Sequence, residues 1–238
     1  SDGTLSDTAT VSITVIAVND APVASAGTVT TSEDTDYSGT LMASDGDGDA
    51  LTYSVLTDPV NGTISITSNS SGTYTYSPTA NYNGSDSLTF TASDGTLLDT
   101  AKVSITVTAV NDVPVATAQT ITGTEDTDAT ITLAGTDVDA GTTLSYIIST
   151  LPTTGTLYQT SDGTTKGDAI STVPTTVTSS TFQVIFTPVA NGNGSGYGNF
   201  GFKVNDGTVD GAEATVTVDI TAINDVPVAS NGTATTNE

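Results

Sequence analysis

The chain has 238 residues, with 27 Asp and Glu against 3 lysines and no arginine, a formal charge of −24. Such a surface cannot neutralise phosphates, which excludes nucleic acid as a partner, and it offers an anionic membrane nothing to hold. Histidine and cysteine are absent, which excludes disulfides and Ser-His or Cys-His catalysis.

Taken in order, the chain reads as short strands. TVSITVIAV (10–18) alternates Val11, Ile13 and Val15 with Thr and Ser. ASDGDGDALTYS (43–54) sets Asp45, Asp47 and Asp49 at alternate positions before alternation resumes at Leu51 and Tyr53. GTISI, GTYTYSP and SLTFTA follow, separated by Asn-Gly and Ser-Gly turns, then KVSITVTAV (102–110) and ATVTVDITAI (214–223). Period-2 runs between turn signals, with no sustained helical periodicity, predict an all-β chain of antiparallel sandwiches. No apolar stretch reaches the length of a membrane span and no signal sequence opens the chain, so it reads as a mature or internal segment without membrane insertion.

The chain also repeats itself. IAVNDAPVA (16–24) recurs as TAVNDVPVA (108–116) and TAINDVPVA (221–229). Asn19 to Asn111 is 92 residues and Asn111 to Asn224 is 113. SDGT or NDGT lies upstream of each, at Asp2, Asp94 and Asp206, and an acid lies downstream, at Glu33, Glu125 and Glu238. Three matched landmarks in one order indicate a tandem array. Two complete units are expected at 19–110 and 111–223, with 1–18 the last strand of a preceding repeat and 224–238 the start of a following one. The excess of 21 residues in the second unit falls in an inserted hairpin or loop near 158–180. An orphan last strand at the start of the chain either frays or pairs with another copy.

The acids recur at fixed stations, each at a strand end or turn: Asn19-Asp20, Glu33-Asp34, Asp45/Asp47/Asp49 and Asp94, then Asn111-Asp112, Glu125-Asp126, Asp137/Asp139 and Asp206. Ca²⁺ takes six to eight oxygens from carboxylates, Asn and backbone carbonyls, which this set supplies; Zn²⁺ wants the His and Cys that are missing. The bland alternative is that Asp-Gly pairs are favoured turn residues whatever they bind. DGDGDA is not an EF-hand loop, because Ala50 replaces the glycine and Leu56 the bidentate glutamate. Asp49 lacks an acidic partner in the second unit, so Asp45 and Asp47 are the stronger candidates.

The ordered set NDxP, Glu-Asp, AxDxD with L-x-Y, AxDG and V-x-I-x-V into the next ND resembles the cadherin repeat. It is similar above all to the cadherin-like tandem repeats of large bacterial surface and secreted proteins. That resemblance implies Ig-like sandwiches with Ca²⁺ at the junctions between successive repeats. The middle junction would use Glu33, Asn111, Asp112, Asp137, Asp139 and Asp206. The first would use Asn19, Asp20, Asp45, Asp47 and Asp94, and the last Glu125, Asn224 and Asp225. Two departures imply fewer or weaker ions: ANYNGSD (80–86) and ANGNGSG (190–196) replace an acidic element of animal cadherins, and Ala17 and Ala109 stand where an acid is usual.

The expected function is a non-enzymatic, extracellular adhesion or spacer segment of a bacterial surface protein, rigidified by calcium. Its partners would be neighbouring repeats or other copies. The alternative is a module that binds glycan or a cell-surface protein through its loops, with Tyr82, Tyr158 and Tyr197 as candidates; their bland role is packing. A carboxylate pair for glycoside hydrolysis is compatible with the acid count, but recurrence at equivalent stations favours a structural role.

Overall fold

The computed structural model describes residues 3–227, 229, 231–233 and 235. The stations expected at Asp2 and Glu238 lie outside the described residues. The chain divides into two compact units, Ser1–Val110 and Asn111–Glu238, and each is an all-β sandwich.

The first unit contains β1 (Val23–Ser25), β2 (Gly27–Ser32), β3 (Tyr37–Thr40), β4 (Met42–Ser44), β5 (Thr52–Thr57), β6 (Gly62–Ser68), β7 (Thr73–Pro78), β8 (Gly84–Ser93) and β9 (Leu98–Thr108). One sheet runs β2-β9-β8-β5, the facing sheet β3-β7-β6, and β1 with β4 forms a small ribbon. The pleat decides which side chains are buried: on β9 burial alternates, so Val103, Ile105 and Val107 face inward. They meet Leu88 and Phe90 of β8 and Tyr74 and Tyr76 of β7.

The second unit contains β10 (Val115–Ala116), β11 (Gln119–Thr124), β12 (Ala129–Thr132), β13 (Gly135–Thr136), β14 (Ser145–Thr150), β15 (Thr156–Gln159), β16 (Ala169–Ile170), β17 (Thr175–Thr176), β18 (Gln183–Thr187), β19 (Phe200–Asn205) and β20 (Ala214–Thr221). Its sheets run β11-β20-β19-β14-β17 and β12-β18-β15-β16, with β10 and β13 as the ribbon. Phe186, Phe200 and Phe202 fill the core. The segment 158–180 is no slack loop. It lays β16 on β15 and β17 on β14, adding one short strand to each sheet.

Among the paired strands, the antiparallel expectation holds except at one place in each unit. β2 pairs with β9, and β11 with β20, in parallel. A repeat entered at one end and left at the other needs its first and last strands to run the same way, which makes that pair parallel.

Residues 5–22 form no strand among the described residues, and Val11, Ile13 and Val15 are 81 %, 83 % and 88 % exposed. The same alternation is a fully formed strand at β9, where neighbours lie on both sides.

Candidate metal centres

Each unit gathers its Asn-Asp, Asp-x-Asp and Asp-Gly stations at one end, and strand pairing explains how. β1 pairs antiparallel with β4, Val23 opposite Ser44. The residues before Val23 therefore lie beside those after Ser44, which brings Asn19-Asp20 to Asp45 and Asp47. Val115 opposite Thr136 does the same for Asn111-Asp112, Asp137 and Asp139. The buried prolines Pro22 and Pro114 anchor the two linkers. Asp94 and Asp206 join from the turns after β8 and β19.

In the first unit the Asp47 and Asp49 N–H groups donate to Asp45 Oδ1 at 2.9 and 3.2 Å, and the Asp20 N–H to Asp47 Oδ2 at 2.7 Å. The Asn19 side-chain amide donates to Asp94 Oδ2 at 2.9 Å. The second unit repeats this geometry. The Asp139 N–H donates to Asp137 Oδ1 at 2.7 Å, the Asp112 N–H to Asp139 Oδ2 at 2.8 Å, and the Asn111 amide to Asp206 Oδ2 at 2.7 Å. N–H donors from Leu97 and then the Asn19 amide hold the Asp94 carboxyl below its usual range. Val209 and then Asn111 do so for Asp206. Both carboxylates are thus held ionised.

What the hydrogen bonds leave over is informative. Asp45 Oδ2 and Asp137 Oδ2, at equivalent stations, are buried and have no hydrogen-bond partner. An unsatisfied buried carboxylate oxygen is costly. Carboxylate oxygens of Asp45, Asp47 and Asp49 lie within 4.8 Å of one another. Two unit charges at that distance repel by about 0.9 kcal/mol even at the dielectric of water. The ion pair among the described residues, Lys166 with Asp128 at 2.8 Å, does not involve these carboxylates. A hard divalent cation would satisfy the buried oxygens and reverse the repulsion, so the donor set fits Ca²⁺. Asp49, ranked below its neighbours on sequence grounds, lies with them in space.

Glu33 and Glu125, both 2 % exposed, sit at the far end of their own units. β9 has 11 residues and at ~3.3 Å per residue spans roughly 35 Å between the Asp94 turn and the Glu33 end. The Val110 N–H donates to Glu33 Oε1 at 2.6 Å. Glu125 accepts from the Ile223 N–H and from the Asn193 side-chain amide, both at 2.7 Å. Within a unit, therefore, the glutamate does not join the aspartates. Asn224 and Asp225 are exposed, and the Asn224 amide donates to the Asp225 carbonyl at 3.4 Å.

Three carboxylates serve the fold instead. Asp34 and Asp126, the second acids of the Glu-Asp pairs, accept the Asn81 and Asn191 N–H groups at 3.0 and 2.9 Å. Asp86, given no role in the sequence reading, accepts from the Val60 and Asn61 N–H groups and from the Tyr76 hydroxyl, at 3.0, 2.9 and 2.9 Å. Its position in the repeat is Gly196 in the second unit, where the Gly196 N–H donates instead to Asp219 of the neighbouring strand at 2.6 Å. The tyrosines weighed for glycan binding have structural work. The Tyr82 hydroxyl donates to the Ser85 carbonyl, the Tyr197 hydroxyl accepts the Val189 N–H, and Lys166 lies over the Tyr158 ring.

Comparison with known proteins bears on the fold. Residues 19–106 match the bacterial Ig domain family, and residues 96–221, more than half of the chain, match the family described as SibA-like, immunoglobulin-like domain. Among curated proteins none matches. Of solved structures, the chain is similar to human protocadherin-24 EC1-2 (form II) with a TM-score of 0.56 and 13% identity, covering 85% of this chain and 99% of that one. At that identity the likeness is one of fold. An endo-fucoidan hydrolase of glycoside hydrolase family 107 aligns at 23% identity over 86% of this chain, with a TM-score of 0.37; the match spans only 29% of the enzyme. By the longer family match, the chain belongs to the SibA-like, immunoglobulin-like domain family.

Proposed function

We propose that this chain is a calcium-rigidified segment of a bacterial surface protein, working outside the cell as a spacer or adhesion element rather than as an enzyme. The observation that carries the reading is the duplicated geometry. Asp45 and Asp137 each present a buried, unpartnered oxygen at the same station, ringed by the same Asn-Asp linker and SDGT or NDGT carboxylate. The ligands on this reading are Asn19, Asp20, Asp45, Asp47 and Asp94 in the first unit and Asn111, Asp112, Asp137, Asp139 and Asp206 in the second. Extracellular modules of this kind bind at roughly 10⁻⁴ to 10⁻³ M, a range that calcium reaches outside cells.

The test is thermal unfolding in calcium and in chelator. At a calcium concentration ~100 times the dissociation constant, binding adds ~2.7 kcal/mol per site to the folded form. The melting temperature should therefore rise with calcium and fall on chelation, and identical curves would contradict the proposal.

A further inference from the structure

The basic side chains of the whole sequence are Lys102, Lys166 and Lys203. A protease that cuts after a basic residue therefore has three bonds to attack, and it must seat an extended run of backbone around each. The stretches easiest to seat, residues 5–21 and 222–227, are exposed and outside any strand, and neither holds a lysine.

Lys102 and Lys203 lie in inner strands. Lys102 pairs with Thr89 of β8, and from the next residue onward β2 flanks β9 on its other side. Lys203 pairs with Ile147 of β14, and β20 flanks β19 on its other side. The residues that follow them, Val103 and Val204, are buried in the two cores. Freeing either bond means opening a sheet from its middle, which costs close to global unfolding.

Lys166 is placed differently. It lies in TSDGTTKGD (160–168), the loop between β15 and β16, where residues 164–168 are exposed. Exposed loop tips of small and polar residues are where folded chains are nicked. This loop is braced, however. Asp162 Oδ1 accepts the Thr164 and Thr165 N–H groups at 2.8 and 2.7 Å, and the Gly167 N–H donates to the Gln159 carbonyl at 2.7 Å. The Lys166 ammonium, which a lysine-reading pocket must take, is held by Asp128 Oδ1 at 2.8 Å and lies 5.1 Å from the centre of the Tyr158 ring.

We propose that the Lys166–Gly167 bond is a processing site for an endoprotease specific for basic residues, masked by the grip of Asp128 on the lysine. Hydrolysis adds water across that peptide bond, leaving a carboxylate on Lys166 and an amino group on Gly167. The two pieces stay joined, because strand pairing crosses the cut: Leu157 with Ile170, β12 with β18, and β11 with β20. The second unit becomes a two-chain sandwich. The inference goes beyond the calcium reading and does not depend on it.

Trypsin digestion of the whole folded chain, followed by mass spectrometry, tests this. The expected result is one early cut that gives 1–166 and 167–238, which elute together under native conditions and separate in denaturant. Asp128→Asn keeps an oxygen for the Thr187 hydroxyl but loses the charge that holds the lysine. It should speed the cut by roughly two- to fivefold, the scale of a surface ion pair. Lys166→Gln should leave the chain intact over the same time. Early cutting at Lys102 or Lys203, resistance at all three lysines, pieces that part under native conditions, or a rate indifferent to Asp128→Asn overturns the proposal.

Discussion

The side-chain amide of Asn111 donates to Asp206 at 2.7 Å, joining residues 95 positions apart. The amide also reaches the Asp112 carbonyl at 2.8 Å. Asn19 makes the corresponding pair with Asp94 and Asp20 in the first unit. One asparagine thus ties the linker to the turn after the penultimate long strand, and this holds the carboxylates of each acidic end in place. Asn111→Ala should lower the unfolding free energy, because it removes one hydrogen bond to an ionised carboxylate and one to a carbonyl. It should weaken calcium binding at the second unit's site as well. Chemical denaturation with and without calcium measures both.

Neutralising one carboxylate gives a sign change. Without calcium, Asp137→Asn relieves repulsion with its acidic neighbours while its remaining oxygen can still accept the Asp139 N–H. The melting temperature in chelator should therefore be unchanged or slightly higher. With calcium the variant lacks a ligand charge, and the calcium-induced rise should shrink. A variant destabilised equally in both conditions would mean that Asp137 serves only the turn.

Asp86 predicts an acid-dependent loss. Burial alone would raise its carboxyl, but N–H donors from Val60, Ser87 and Asn61 and the Tyr76 hydroxyl outweigh that and lower it. A group depressed in the folded state contributes fully above its unfolded value, about 3.9, and loses that contribution as pH falls through the lower folded value. Asp86→Asn should cost about 1–3 kcal/mol at neutral pH. The gap from the parent should narrow as pH drops below about 4. Thermal melts of both proteins along a pH series give the comparison.

The excursion 158–180 carries packing as well as edge cover. Ile170 is 5 % and Val177 7 % exposed, and both belong to the second unit's core. Ile170→Ala should destabilise by about 2–4 kcal/mol, the cost of a buried large-to-small change. A loss under about 0.5 kcal/mol, as at ordinary surface sites, would show the segment to be loosely attached.

Much of this was legible in the sequence, for reasons that particular residues make clear. The alternation of Val103, Ile105 and Val107 fixes the inward face of β9, because a pleat leaves a strand only two faces. The recurrent Asn-Asp and Asp-x-Asp stations placed the acidic ends, and β1–β4 and β10–β13 pairing brought them together. The identical alternation at Val11, Ile13 and Val15 shows where pattern stops: a strand also needs neighbours, and periodicity does not record them. β16 and β17 have two residues each, too few for any period. Asp86 went unread because its partners, Val60 and Asn61, lie 26 and 25 positions away and only the fold brings their amides to it. Asp49 was set below Asp45 and Asp47 by comparison of the repeats, yet proximity in one loop gathers all three.

Calorimetric titration of the chelated chain with Ca²⁺, and in parallel with Mg²⁺, tests the central claim most directly. The account predicts saturable Ca²⁺ binding at sub-millimolar to millimolar affinity, roughly 10⁻⁴ to 10⁻³ M. Asp45→Asn and Asp137→Asn should each weaken it, and Mg²⁺ should bind less tightly because it demands a smaller, more regular cage. Absence of saturable Ca²⁺ binding would contradict the account and leave the duplicated carboxylates as turn formers alone.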